Sequence, residues 1–173
     1  VFGLGTLIVG ESGIGKSECA LDLVTRGHRL VADDSVEIKL IEGELLGRAP
    51  DLIRHTLEVR GVGLINPKQM FGITAVRETK VIEQAVRLVP LNANTVFDRL
   101  GERGLEWECL GRSIPLLELP VAPGRNLAVL IEITARRRLL HDEGYDAYTE
   151  VRAAMAKRMI GQQARPWVEE PES

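Results

Sequence analysis

Gly10-Glu11-Ser12-Gly13-Ile14-Gly15-Lys16-Ser17 fits the phosphate-binding pattern G-x-x-x-x-G-K-[ST] at every fixed position. The apolar run Gly5-Thr6-Leu7-Ile8-Val9 before it reads as a buried strand, and Glu18-Cys19-Ala20-Leu21-Asp22-Leu23-Val24 after it reads as a helix. Strand, glycine-rich turn and helix are the context the motif requires. Glycines let successive N–H groups turn inward around an anion, and the helix that follows aims its unpaired N–H groups and positive dipole end at the same place. Lys16 adds a mobile positive charge for the outer phosphates, and Ser17 a hydroxyl for Mg²⁺. Gly10, Glu11, Ser12, Gly13, Ile14, Gly15, Lys16 and Ser17 are therefore expected to form a nucleotide or phosphate site.

Downstream, the helix is expected to end near Thr25-Arg26-Gly27, with Gly27 as its C-cap. His28-Arg29-Leu30-Val31-Ala32 then reads as a second strand beside the first, closing a right-handed βαβ unit. That strand runs into Asp33-Asp34, whose carboxylates would face the bound phosphates across the crevice. One could hold Mg²⁺ or its waters and the other accept a proton from an attacking hydroxyl. A solvated turn opening the next hairpin is the plainer alternative. Ser35 to Leu46 alternates as a hairpin turning at Glu42-Gly43, and Ala49-Pro50-Asp51 opens a short helix through Leu57.

The glycine-broken segment Glu58 to Pro67 is too irregular for a regular element. Its Glu58 is a suitable hard ligand for Mg²⁺, and its Arg60 suits the spread charge of a phosphoryl transition state. Thr74–Arg77 and Lys80–Leu91 read as strands, the second partly helical; Trp107–Leu110 and Ser113–Leu119 read as two more. A loop, Pro120 to Asn126, leads into the apolar run Leu127–Thr134 and a helix through Leu140. After Gly144-Tyr145-Asp146 comes a last helix from Ala147 to about Gln163, with Val151, Met155 and Met159 as a core-facing stripe. Pro166 to Ser173 reads as a frayed tail. Arg99 and Arg125 are further candidates for anion contact. His28, His55 and His141 show no metal spacing and read as structural, and Arg136-Arg137-Arg138 as a solvated helix face.

At 173 residues, with 45% hydrophobic content and a net charge of −3, the chain suits one soluble domain with a substantial core. No apolar run is long enough to cross a membrane, and there is no broad basic footprint for nucleic acid. Cys19 and Cys109 match no metal spacing, and a reducing cytoplasm is the natural compartment. No signal peptide or basic targeting segment is visible. The abrupt start, inside or just before a strand, is what a piece of a longer protein would show.

Several stretches, taken together and in order, resemble the HPr kinase/phosphorylase family, bacterial enzymes that phosphorylate a serine on the phosphocarrier protein HPr. They are Gly10 to Ser17, Arg26 to Asp34, Ala49-Pro50 through Ile53-Arg54-His55, and Glu58 to Asn66. Phe71-Gly72, Ala75-Val76-Arg77, Asp98-Arg99-Leu100-Gly101, Pro123 to Val129 and Gly144-Tyr145 follow. The resemblance implies an α/β fold with a P-loop core and a mixed sheet, similar to phosphoenolpyruvate carboxykinase, with residues 1–164 as the catalytic domain and 165–173 as a tail. It implies a homohexamer controlling carbon metabolism. By position, Gly10 to Ser17 match the ATP-binding loop, with Lys16 on the phosphates; Lys16, Asp33 and Arg99 match catalytic residues, Asp33 as acid/base, while Ser17 and Glu58 match the Mg²⁺ ligands. Pro120, Val121, Ala122, Pro123, Gly124 and Arg125 match the segment tied to dephosphorylation by inorganic phosphate, which releases pyrophosphate. Ala122 stands where the family usually has arginine, so the kinase direction is expected to be the firmer one. A catalytic histidine, the first strand of the domain and a separate N-terminal domain precede the corresponding point in the family. A P-loop small-molecule kinase and a non-catalytic nucleotide sensor are the competing readings.

Overall fold

Thr6–Gly10 forms a strand, β1, whose partner is not the segment that follows the first helix. A computed structural model describes residues 1–91, 104–146, 149–150, 152 and 155–157. The chain divides into two compact units, 1–137 and 138–173. In the first unit, β1 lies at the edge of a four-stranded mixed sheet. The other members are β7 (Gln84–Pro90), β8 (Glu106–Cys109) and β9 (Arg112–Val121). β1 and β7 run parallel, with Ile8 opposite Val86 and Gly10 opposite Leu88; β7 and β9 are parallel and β8 and β9 antiparallel. β7 wins the place beside β1 because it carries the longer buried run, with Ala85, Val86 and Leu88 almost completely enclosed. Central parallel strands need such two-sided burial.

The expected second strand at 28–32 is therefore a correction. Only Leu30 makes a ladder contact, a single parallel bridge to Val76, with the Leu30 N–H donating to Ala75 O at 2.9 Å and the Arg77 N–H to Leu30 O at 2.8 Å. The helix before it, α1 (Lys16–Thr25), ends as expected. Gly27 takes φ 91°, its N–H donates to Val24 O at 2.9 Å, and the His28 N–H donates to Leu23 O at 3.0 Å. Both orphan carbonyls are thus satisfied by a Schellman turn. A cavity of about 540 Å³ separates 28–33 from β1, lined by Leu7 and Gly5 on one side and by Leu30 and Val31 on the other.

The hairpin expected over 35–46 is present as β2 (Glu37–Ile41) and β3 (Glu44–Arg48), with Glu42 and Gly43 both at positive φ, the geometry of a tight two-residue turn. Lys80–Leu91 is not one element: β6 (Thr79–Val81) joins β3, and the chain then enters β7 with no helix. The helix expected over 49–57 shrinks to one 3-10 turn, Asp51–Ile53, and Leu57 is drawn into a strand. The segment from Glu58 is regular after all: β4 (Leu57–Val59) and β5 (Gly63–Ile65) form an antiparallel hairpin, followed by α2 (Pro67–Phe71), capped by the Asn66 side chain. Ile73–Ala75 is a 3-10 turn, not a strand.

Leu127–Thr134 is helical, part of α3 (Leu127–Asp142). Asn126 Oδ1 caps it by accepting from the Val129 N–H at 3.0 Å, so the helix begins at the apolar run itself. One core cluster gathers Cys19 and Leu23 of α1, Val86 and Leu88 of β7, Leu119, and Ala128 and Ile131 of α3. A second, with Val24, Leu30, Leu57 and Ala75, seats the β4–β5 hairpin against α1. In the second unit the described residues 149–150, 152 and 155–157 are helical, and Met155 is 60% exposed, so it does not serve the expected core-facing stripe. Val151, Met159, Gln163, the tail 165–173 and Arg99 lie outside the described residues.

Candidate active site

The loop from Gly10 to Gly15 leaves β1 at the C-terminal edge of the parallel strands and delivers the chain to the start of α1. Gly13 and Gly15 adopt φ 83° and 101°, a region that costs an L side chain about 1–2 kcal/mol. These turns leave the N–H groups of Gly13, Gly15, Lys16 and Ser17 without a hydrogen-bond partner among the described residues, and only the Ile14 N–H is taken, weakly, by Glu11 O at 3.4 Å. Unpaired amides at the head of a ten-residue helix are an anion-binding surface. Lys16 Nζ arches back over the loop and donates to Gly10 O at 3.0 Å and Glu11 O at 2.9 Å.

Ser17 Oγ donates to Asp33 Oδ1 at 2.7 Å, and the Glu58 N–H donates to Asp33 Oδ2 at 3.0 Å. One half-buried carboxylate thus ties the motif's hydroxyl to the hairpin that carries the second carboxylate. Asp33 reaches this place from an irregular segment, not from the end of a paired strand. Asp34 beside it is exposed. Arg60, in the β4–β5 turn, comes close to the loop: a methyl group at Gly13 would stand 2.6 Å from Arg60 Nη2 and 3.3 Å from Cζ. Asp33 thus joins Ser17 to the Glu58 backbone, while Lys16 folds over the loop and Arg60 stands beside Gly13.

The segment Pro120–Arg125 lies on the same edge of the sheet. Gly10 is opposite Leu88, Leu88 opposite Leu119, and Pro90 opposite Val121, so its start is two strands, roughly 10 Å, from the loop. Val121 and Leu127 pack on the same core cluster as Ile14 of the loop. Arg125 Nη1 donates to Pro120 O at 3.4 Å, while Ala122 is half-buried.

Hard oxygen donors are what Mg²⁺ takes, and it characteristically keeps several waters and uses one or two carboxylates together with substrate phosphates. Ser17, Asp33 and Glu58 fit that requirement. Among the described residues no cluster of three or more His, Cys, Asp or Glu gathers to cage a metal unaided. Of the histidines, His28 is structural and His141 is exposed. His28 Nε2 is 2.8 Å from Glu132 Oε1, and its Nδ1 accepts from the Phe2 N–H at 3.4 Å; His141 sits on α3 beside Asp142. His55 stands apart, with φ 64° and a buried Nδ1 lacking a partner among the described residues. Burial, then Lys68 and Arg54, hold its pKa below the ordinary value. Within α1, burial and then Asp22 push the Cys19 thiol up to about 12, so it is an inert packing group. Sequence reasoning missed the Ser17–Asp33–Glu58 link. The two bonds span 16 and 25 residues, and no local pattern encodes them.

Comparison with known proteins agrees with this architecture. Residues 1–155 match the family model of the HPr serine kinase C-terminal domain. The HPr kinase/phosphorylase of Brevibacillus brevis is 52% identical over 148 residues, covering 85% of this chain and 48% of that protein. That of Geobacter sulfurreducens is 46% identical over 160 residues, covering 92% of this chain and 50% of the relative. The solved structure of the Hpr(Ser) kinase/phosphatase from Coxiella burnetii superposes with a TM-score of 0.77 at 35% identity, covering 86% of this chain and 90% of that one. The chain spans about half the length of the curated relatives it matches.

Proposed function

Because this chain belongs to the HPr serine kinase C-terminal domain family, we propose that it carries the phosphotransfer site of an ATP- and Mg²⁺-dependent protein-serine kinase. Its acceptor is a serine of HPr or a paralogue, and in the reverse direction it is a phosphorylase. The observation that carries the reading is the hydrogen-bonded link Ser17–Asp33–Glu58 at the mouth of the Gly10–Ser17 loop. A bare nucleotide sensor needs the loop but not a carboxylate fixed beside the motif's own hydroxyl. The loop amides and Lys16 grip the β and γ phosphates, as in P-loop proteins, and Ser17 with Glu58 holds Mg²⁺, which when bound neutralises phosphate charge. The serine oxygen attacks the γ phosphorus, the bond to the ADP oxygen breaks, and the serine proton passes to a carboxylate of the Asp33-Asp34 pair. Catalysis rests on positioning and charge stabilisation.

The resemblance gives the proton to Asp33. A specific observation favours the other division of labour: both oxygens of Asp33 already accept hydrogen bonds, one from the motif's own metal-side hydroxyl. Asp33 then suits the metal side, and exposed Asp34 the proton. Phosphorolysis would reverse the path: an oxygen of inorganic phosphate attacks the phosphorus of phosphoserine to form pyrophosphate, the bond to the serine oxygen breaks, and that oxygen takes its proton from the protonated carboxyl of the Asp33-Asp34 pair; Ala122 makes this the weaker direction. Arg99 is the remaining catalytic arginine of the proposal. The wider setting is a cytoplasmic homohexamer controlling carbon metabolism, with a fold related to phosphoenolpyruvate carboxykinase. Small-molecule kinase activity and nucleotide sensing are the alternatives.

The test is mass spectrometry of purified HPr after incubation with the protein, ATP and Mg²⁺, with and without inorganic phosphate. One added phosphoryl group on a serine is expected, removed when phosphate replaces ATP. Asp33→Asn and Asp34→Asn decide the proton acceptor. The acceptor's variant loses roughly a hundredfold in rate at every Mg²⁺ concentration, whereas the metal-side variant recovers in part as Mg²⁺ is raised. Unmodified HPr alongside tight ATP binding would turn the reading to a sensor.

A further inference from the structure

The outward face of the β4–β5 hairpin is not explained by the fold. The inward face is: Leu57 is fully buried, and Val59 and Ile65 pack on the cluster of Val24 and Leu30. Strand alternation turns Glu58 and Leu64 the other way, and the register sets these two directly opposite each other. Cross-strand partners on one face hold their β-carbons about 4.5–5.5 Å apart. Leu64 is therefore the immediate neighbour of the carboxylate offered to Mg²⁺, yet it is open to solvent. Val62, in the turn between the two strands, is equally open, and its N–H closes that turn by donating to Val59 O at 3.0 Å.

Neither side chain helps to pack the hairpin, and polar residues would serve the fold as well. Their setting is nonetheless fixed, because the Glu58 N–H is tied to Asp33 at 3.0 Å. An acceptor hydroxyl must reach the Asp33-Asp34 pair to give up its proton. Whatever carries that hydroxyl is brought beside Glu58 and the leucine across from it. A small polar metabolite gains nothing from two aliphatic side chains at that point. A serine presented on a folded protein, with apolar side chains next to it, gains their burial.

Resting on the phosphotransfer reading above, we propose that Leu64 and Val62 are specificity-determining residues for the acceptor, an apolar ledge that takes the hydrophobic side chains flanking the target serine on a folded protein. The hairpin then has two working faces. One is buried and anchors it, and the other offers metal-side charge and acceptor contact side by side. The ledge selects a protein over a free small-molecule hydroxyl.

The experiment compares wild type with Leu64→Ser, Val62→Ser and a control, Leu110→Ser. Leu110 is also exposed, but it lies in the turn before β9, at the end of the parallel strands away from the loop. Steady-state kinetics with HPr, calorimetry with ATP and with HPr, thermal melting and sedimentation are measured for each. Leu64→Ser is expected to raise the KM for HPr about tenfold and Val62→Ser about fivefold. Their kcat and ATP affinity should stay within about twofold, with melting temperature and oligomeric state unmoved, and Leu110→Ser should match wild type throughout. An unchanged KM in both variants overturns the ledge while leaving the kinase reading intact. So does a weakened grip on ATP, which would put the ledge against the nucleotide, or a changed oligomeric state, which would put it against a second copy of the chain. If wild type fails to modify HPr yet binds it, and Leu64→Ser does not, the kinase reading falls and the ledge stands. HPr that binds both alike, or neither, overturns the ledge.

Discussion

The loop Gly10–Ser17 and the hairpin Leu57–Ile65 meet at one site but are built in opposite ways. Every group of the loop comes from eight consecutive residues, and its helix is sunk in the core through Cys19 and Leu23. The hairpin contributes through a backbone amide and one reaching side chain, and it leaves Val62 and Leu64 72% and 71% exposed. The cradle is thus locally encoded and rigidly mounted, whereas the acidic and cationic groups opposite it are assembled by tertiary contacts. The grip on nucleotide should accordingly survive damage to the hairpin, and transfer should not.

The largest effect expected from this contrast is at Lys16. Lys16→Ala removes the ammonium that bridges Gly10 O and Glu11 O and would engage the outer phosphates. A loss of about a hundred- to a thousandfold in transfer is expected, with weakened ATP binding and an unchanged melting temperature. Calorimetry and the HPr assay check both; ATP binding at wild-type strength would show that the amides alone make the cradle. A smaller effect is expected across the site. Glu58→Gln keeps the backbone bond to Asp33 but removes the charge offered to Mg²⁺. The Mg²⁺ concentration giving half-maximal transfer should rise about tenfold, with nucleotide affinity in the absence of metal unmoved. If it changes only the melting temperature, the hairpin is a structural brace and not half of the site.

The same contrast explains what could be read before the fold was seen. The loop, the end of α1 at Gly27, the Glu42-Gly43 hairpin turn and the strands β8 and β9 follow from neighbouring residues, so spacing and glycine placement disclosed them. The neighbour of β1 did not. His28–Ala32 has the composition of a strand, but the place was taken by β7, whose burial is settled by contacts with β9 and α3 and not by its own sequence. The β4–β5 hairpin was hidden for a related reason. Gly61 and Gly63 look like breaks, yet their positive φ values, 80° and 98°, are what close the turn. Glu58 and Arg60 were legible as suitable chemistry. Their arrival at Ser17 and Gly13 was not, since it depends on Leu57 being buried against α1.

The smallest predicted effect concerns how firmly the loop's helix is mounted. Cys19, one turn into α1, holds its proton far above the usual thiol range, up to about 12 from 9.0, because burial and then Asp22 disfavour the thiolate. The folded chain therefore keeps this proton after the unfolded chain has lost it. Stability from this group is complete below about pH 9 and falls as pH rises toward the folded value, with a slope of at most about 1.4 kcal/mol per pH unit. Cys19→Ala removes the slope while leaving a small cavity among Leu23, Val86 and Ile131, so the variant is less stable at pH 7, by about 1 kcal/mol. The difference between wild type and variant in urea midpoints should close by about pH 9.7 and change sign by about pH 10.5, since lysines and tyrosines titrate alike in both. A constant difference across that range would mean the thiol reaches water in the native state. The core beneath the helix that presents Lys16 and Ser17 would then be open to solvent, and the division between a fixed cradle and an assembled partner would fail.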